Sequence, residues 1–159
     1  MPQLSSTVQL ATLCYIRKNK KTLLLHRDKN PEDVHFGKWN GLGGKFQAGE
    51  TPEICVKREI KEESNLDIYM PKMAGILTFP QFSHGKDWYV FVFTADTFDG
   101  KVVSNDEGSL CWIDDSEILN LPLWEGDQVF LPLVLEGTFF SGNFLYKEGS
   151  LVNHEIVIY

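Results

Sequence analysis

The segment GLGGKFQAGETPEICVKREIKEESNLDI, residues 41–68, decides how this chain folds. It opens on a glycine turn at Gly41, Gly43 and Gly44, then crowds Glu59, Glu62 and Glu63 into five consecutive positions. Residues 51–64 read as a helix. Thr51 is a suitable N-cap, Pro52 suits the first helical position, and Glu53 favours the positive end of the helix dipole. Asn65 can close the helix, being second only to glycine in the left-handed conformation. Residues three and four apart share a helix face, so Glu59 lies beside both Glu62 and Glu63. The three fan over roughly 100° of the helix. Val56 and Ile60 border that sector, so the acidic edge adjoins the face that packs inward.

Like charges at this spacing destabilise a helix by a few tenths of a kcal/mol per pair. Desolvation raises the cost. One reading is a solvated, charged helix face. The other is a cation, and Arg58 alone cannot neutralise three carboxylates. Hard divalent cations take oxygen ligands, and Mg²⁺ typically uses one or two carboxylates together with substrate phosphates. The glycines permit close backbone approach and positive φ, although by themselves they would mark only a tight turn leaving a strand. GLGGKFQAGE does not fit Walker A spacing. The specific signal is the combination: Gly44, five residues, Glu50, seven residues, then Arg58-Glu59-Ile60-Lys61-Glu62-Glu63.

Working outward, residues 7–16 and 22–26 read as strands joined by the basic turn Arg17-Lys18-Asn19-Lys20-Lys21. A solvated hairpin tip explains that run better than a binding patch. Residues 27–38 form a polar loop. Residues 73–79 and 87–95 read as strands, the second apolar on both faces and therefore central. Residues 109–113 form a short strand. Residues 127–137 look helical despite Pro132, which would kink the helix or shift its start. The last two strands make a hairpin across Glu148-Gly149. The fold class is α/β, a mixed sheet flanked by helices in one domain spanning residues 1–159.

Composition narrows the function. At 43% hydrophobic and 23% charged, the chain is an ordinary globular protein. No apolar run approaches the roughly 18 residues of a membrane span. The N-terminus lacks a basic leader before its apolar part, which argues against a signal peptide. Cys14, Cys55 and Cys111 lack metal-ligand spacing and suit a reduced, cytoplasmic setting as buried or neutral thiols. A formal charge of −7 with no basic stripe excludes grip on a nucleic-acid polymer. A small anion is still accessible if metal lies between. His26, His35, His84 and His154 show no ligand-like pairing.

The motif at 44–66 resembles the Nudix box, G-x5-E-x7-R-E-U-x-E-E-x-G-U with U aliphatic. It departs only at Asn65, where the family has glycine. The resemblance implies an α/β/α sandwich and metal-dependent hydrolysis of a nucleoside diphosphate linked to another group. Carried over by position, Glu59, Glu62 and Glu63 would bind Mg²⁺ (Mn²⁺ as substitute) with a backbone carbonyl of Gly43 or Gly44. Glu59 leads as catalytic base, with Glu63 and Glu107 as rivals. Glu50 and Arg58 would brace loop and helix.

Beyond the box the chain resembles MutT-like enzymes acting on oxidised purine nucleoside triphosphates such as 8-oxo-dGTP, through WNGLGGK (39–45), NDEGSLCW (105–112), PLWEGD (122–127) and GNFLY (142–146). That resemblance implies nucleotide-pool sanitation in support of DNA repair, by a monomer or homodimer. It places Leu42, Gly43, Gly44 and Lys45 against substrate and puts Arg27 at a basic substrate contact. Asn40 would bond the purine or cap its own turn. Trp124 would stack on the purine or cap the core beside Leu121 and Leu123. Asp127 would read the base edge or N-cap its helix. Glu107 would be a further metal ligand or a turn residue. The relatives carry adjacent acidic residues where this chain has Gly126 before Asp127, and Glu125 is the candidate to compensate. ADP-ribose, dinucleoside polyphosphates and nucleotide sugars stay open as substrates, as does an inactive nucleotide-binding module.

Overall fold

The computed structural model describes residues 7–159, so the part of the N-terminal reading that concerns residues 1–6 lies outside it. Strands β1 (Thr7–Lys18) and β2 (Lys21–His26) form the expected hairpin. Its two turn residues, Asn19 and Lys20, both have positive φ. Next come β3 (Trp39–Asn40), β4 (Leu42–Lys45) and helix α1 (Pro52–Ser64). The helix begins as the sequence indicates, with the Thr51 hydroxyl accepting from the Ile54 N–H at 3.2 Å. It ends with Asn65 at φ 67°, in the left-handed region.

Strands β5 (Asp67–Tyr69), β6 (Lys72–Ser83), β7 (Lys86–Ala95), β8 (Thr97–Asp99) and β9 (Ser109–Asp114) follow. Helix α2 (Asp127–Glu136) and strands β10 (Phe140–Lys147) and β11 (Ser150–Ile158) complete the chain. Helix α2 runs continuously through Pro132. Contrary to one expectation, Asp127 does not cap it: Gly126 occupies the N-cap position and no side-chain cap bond forms.

The main sheet has the order β11-β10-β6-β7-β1-β2-β3, with β4 also paired to β1 and β9 to β2. It is mixed: β1–β7 and β6–β10 are parallel and the remaining pairs antiparallel. Strand β7 is interior, as its two apolar faces indicated. Period-two alternation then divides the core. Ala11, Leu13 and Tyr15 of β1, with Val90 and Val92 of β7, face α2. Cys14 and Ile16, with Phe91 and Phe93, face α1. The result is an α/β/α sandwich with one core on each side of the sheet.

Candidate active site

The site lies where β4 passes close to β1. A side chain on Gly43 would collide with the Thr12 carbonyl, and one on Gly44 would stand 2.6 Å from Glu59 Oε1. Glycine is needed at position 43 because backbone fills that space, and at position 44 it leaves room for the Glu59 carboxylate. The bare strand lets Glu59 and Glu63 reach the mouth of a pocket of about 510 Å³ on the α2 side of the sheet. Arg27, Asn40, Gly43, Gly44, Lys45, Glu107, Trp124 and Asp127 line the same pocket. Leu42 does not. Its side chain is fully buried against Val56 and Ile60 on the α1 side, because alternation along β4 points it away. The expectation that its side chain meets substrate is therefore corrected.

The carboxylates differ sharply in environment. Arg58 bonds Glu50 at two points, 2.6 and 2.8 Å, and also reaches Glu59 at 2.8 Å and Glu62 at 3.2 Å. Glu62 is the outermost, with more than half its side chain exposed. Glu63 gets nothing from Arg58. Its Oε2 is buried without a hydrogen-bond partner. Burial, and then the neighbouring Glu107 and Glu59, raise its pKa to about 8, with the Gly43 N–H opposing. Burial also raises Glu59, against the pull of Arg58. Glu107 is brought in by its loop: the Asn105 amide donates to the Glu63 carbonyl at 2.8 Å, and Asn105 Oδ1 accepts the Glu107 N–H at 2.7 Å. Glu107 in turn pairs with Arg27 at 3.4 Å.

Among the described residues these carboxylates do not converge into a closed ligand set. Glu59 and Glu62 instead both bond Arg58 Nη1. An orphaned buried carboxylate oxygen beside two more acids nevertheless has the chemistry of a hard-cation site. The residues present fit a divalent metal.

Behind the mouth the pocket is mostly apolar. Only 8% of Trp124 is exposed. Its indole meets Phe82 and Tyr146 edge-on, each at 5.4 Å between ring centroids. Lys38 Nζ stands 4.9 Å from the ring centroid. Trp124 is thus both part of the core beside Leu121 and Leu123 and a wall of the pocket. The Asn40 amide makes no hydrogen bond among the described residues, so it does not cap its turn. Burial raises Asp127 to about 8, with Lys38 pulling the other way. Glu125 does not compensate for Gly126: its carboxylate points outward and accepts the Leu151 N–H. Position 126 has no room for an acid, since a side chain there would meet Phe144 and the Tyr146 hydroxyl at 2.8 Å.

Sequence reasoning missed Tyr15, His35, Phe79, Phe82 and Tyr146, which also line the pocket. Their strands and loop carry no local motif. Only β-strand alternation on β1, β6 and β10 could have assigned a face to the aromatic residues among them.

Comparison with known proteins places the chain in a family. The NUDIX domain family model matches residues 7–134. An uncharacterized Nudix hydrolase of Bacillus subtilis is 34% identical over 144 residues, covering 87% of each chain. The oxidized purine nucleoside triphosphate hydrolase of Danio rerio is 33% identical over 152 residues, 96% of this chain and 92% of the other. The crystal structure of a MutT protein from Bacillus halodurans superposes with a TM-score of 0.81 at 30% identity, covering 93% of this chain and 97% of that one.

Proposed function

The chain belongs to the Nudix hydrolase family, and on that premise we propose that it hydrolyses oxidised purine nucleoside triphosphates such as 8-oxo-dGTP to the monophosphate and pyrophosphate. The observation that carries the reading is Glu63, a carboxylate with one buried oxygen left without a hydrogen-bond partner, beside Glu59 and Glu107 at the mouth of a largely apolar pocket. Glu59, Glu62, Glu63 and Glu107, with the Gly43 carbonyl, would hold Mg²⁺ or, in its place, Mn²⁺. Bound there, the metal supplies charge neutralisation at phosphate oxygens and lowers the pKa of water.

The chain's own groups do the rest. Glu59 takes the proton from the attacking water, with Glu63 and Glu107 as rivals for that role. A positioned base contributes about 10²–10⁴ in rate. Arg27 and Lys45 offer positive charge to the phosphate chain. Deeper in, the base packs against Trp124, which requires Lys38 to lift from the ring face or the base to use the opposite face. Asn40 and Asp127 meet the base edge. With its pKa raised to about 8, Asp127 is protonated at neutral pH and can donate as well as accept. The family resemblance and the Danio rerio relative support an oxidised purine.

The test is release of pyrophosphate from 8-oxo-dGTP and from dGTP with Mg²⁺. Turnover of 8-oxo-dGTP with higher kcat/KM is expected. Absence of pyrophosphate from both overturns the reading, and a panel of ADP-ribose, dinucleoside polyphosphates and nucleotide sugars then identifies the alternative.

A further inference from the structure

We infer that His35 is a positioning residue for the pocket: by accepting the indole N–H of Trp124 it fixes the ring against which a base packs. The inference rests on the reading of that pocket as a nucleobase site. The Trp124 Nε1–H donates to His35 Nδ1 at 2.7 Å, with the two rings edge-to-face at 79° and 5.4 Å. This is the only hydrogen bond of the Trp124 side chain among the described residues, and a buried indole N–H needs a partner. Phe82 and Tyr146 shape the ring's surroundings by apolar contact. Such contacts place no directional restraint on the torsion of the indole about its Cβ–Cγ bond. The bond to His35 supplies it.

His35 is itself held from several sides. Its N–H donates to Asp33 Oδ1 at 3.1 Å, and Asp33 Oδ2 accepts from Arg27 Nε at 2.7 Å. Its carbonyl accepts the Lys38 N–H at 2.9 Å, and the adjoining Trp39 N–H reaches the Pro122 carbonyl at 2.9 Å. The polar loop 27–38 is thereby tied both to itself and to the segment carrying Trp124. An Nδ1 that accepts has no proton, so the neutral ring carries its proton on Nε2. The charged groups around it are Arg27, Lys38 and Asp33. Burial and the two cations hold the imidazole down to about 4, against Asp33, so it stays a neutral acceptor throughout the working range.

The experiment compares His35→Leu, which removes the acceptor, with His35→Asn, whose amide oxygen falls near the position of Nδ1. In hydrolysis of 8-oxo-dGTP with Mg²⁺, H35L should raise KM by about two- to tenfold, the cost of ordering on binding a ring no longer held beforehand. Its kcat should stay within about threefold. H35N should return KM to near wild type. Trp124→Ala should raise KM, and H35L should add nothing in that background. In the free protein, the Trp124 indole proton resonance, identified by its loss in Trp124→Phe, should move in H35L and much less in H35N. Unchanged KM in H35L, equal impairment in H35L and H35N, or additive effects with W124A would each overturn the inference. If W124A itself leaves KM unchanged, or 8-oxo-dGTP is not turned over, the nucleobase reading has failed instead. The indole resonance then decides alone whether His35 orients the ring.

Discussion

Arg58 grips Glu50 at two points, Nε to Oε2 at 2.6 Å and Nη2 to Oε1 at 2.8 Å. The same guanidinium bonds the Lys45 carbonyl at 3.0 Å, so one side chain ties the end of β4 to the acidic helix. This clamp sets the distance between the glycine turn and the glutamates, and the remaining nitrogen of Arg58, Nη1, serves only Glu59 and Glu62. Glu63 is left over.

The clamp predicts the acid limb of stability. Arg58 holds Glu50 at about 2, below its ordinary 4.5. A depressed carboxylate stabilises the fold above its unfolded pKa, and that contribution is lost as pH falls through the folded value. The melting temperature should therefore drop from about pH 4.5 towards pH 2, and the drop should be shallower in Glu50→Gln. Parallel curves for the two proteins would contradict the clamp.

Glu63 predicts the opposite sign. Its pKa is raised from 4.5 to about 8, so the unfolded chain gives up its proton first as pH climbs. Without metal, stability should fall from about pH 4.5 to pH 8, by an amount on the order of a few kcal/mol at most. Glu63→Gln should flatten that fall and melt higher at pH 8. Mg²⁺ should raise the melting temperature of wild type clearly more than that of E63Q. Calorimetry with and without chelator measures both effects.

Glu59→Gln should reduce kcat by about 10²–10⁴ while leaving the melting temperature at or slightly above wild type, since it removes a partly desolvated charge. Near-wild-type turnover would pass the role of base to Glu63 or Glu107.

Gly44→Ala should displace the Glu59 carboxylate, because the added methyl occupies its place. The melting temperature should change little, because only the flexible end of the Glu59 side chain has to move. Turnover should fall at least about tenfold, read from steady-state kinetics beside a thermal melt.

Asp127 predicts a base-recognition limb. As it ionises above about pH 8, it loses its donor and KM for 8-oxo-dGTP should rise. Asp127→Asn keeps a donor and an acceptor, so its KM should stay flat from pH 6 to 9. A wild-type KM independent of pH would remove Asp127 from base reading.

The long elements were legible because their signals are local. Thr51, Pro52 and Asn65 bound α1 in the sequence, and they bound it in the structure. Strands β3, β4, β5 and β8 were not found, since two to four residues show no period and β4 is half glycine. The helical spacing of Glu59, Glu62 and Glu63 follows from the chain alone, because backbone geometry repeats every 3.6 residues. The direction in which Leu42, Glu125 and Asp127 point does not. It depends on which sheet face, helix end or neighbouring strand each meets. Likewise the bond between His35 and Trp124 joins residues 89 apart in sequence. The sequence by itself determined the acidic helix and its family motif. Only the tertiary structure decided which glutamate stays unpaired and what surrounds the pocket, because desolvation and partner choice arise only when distant segments pack together.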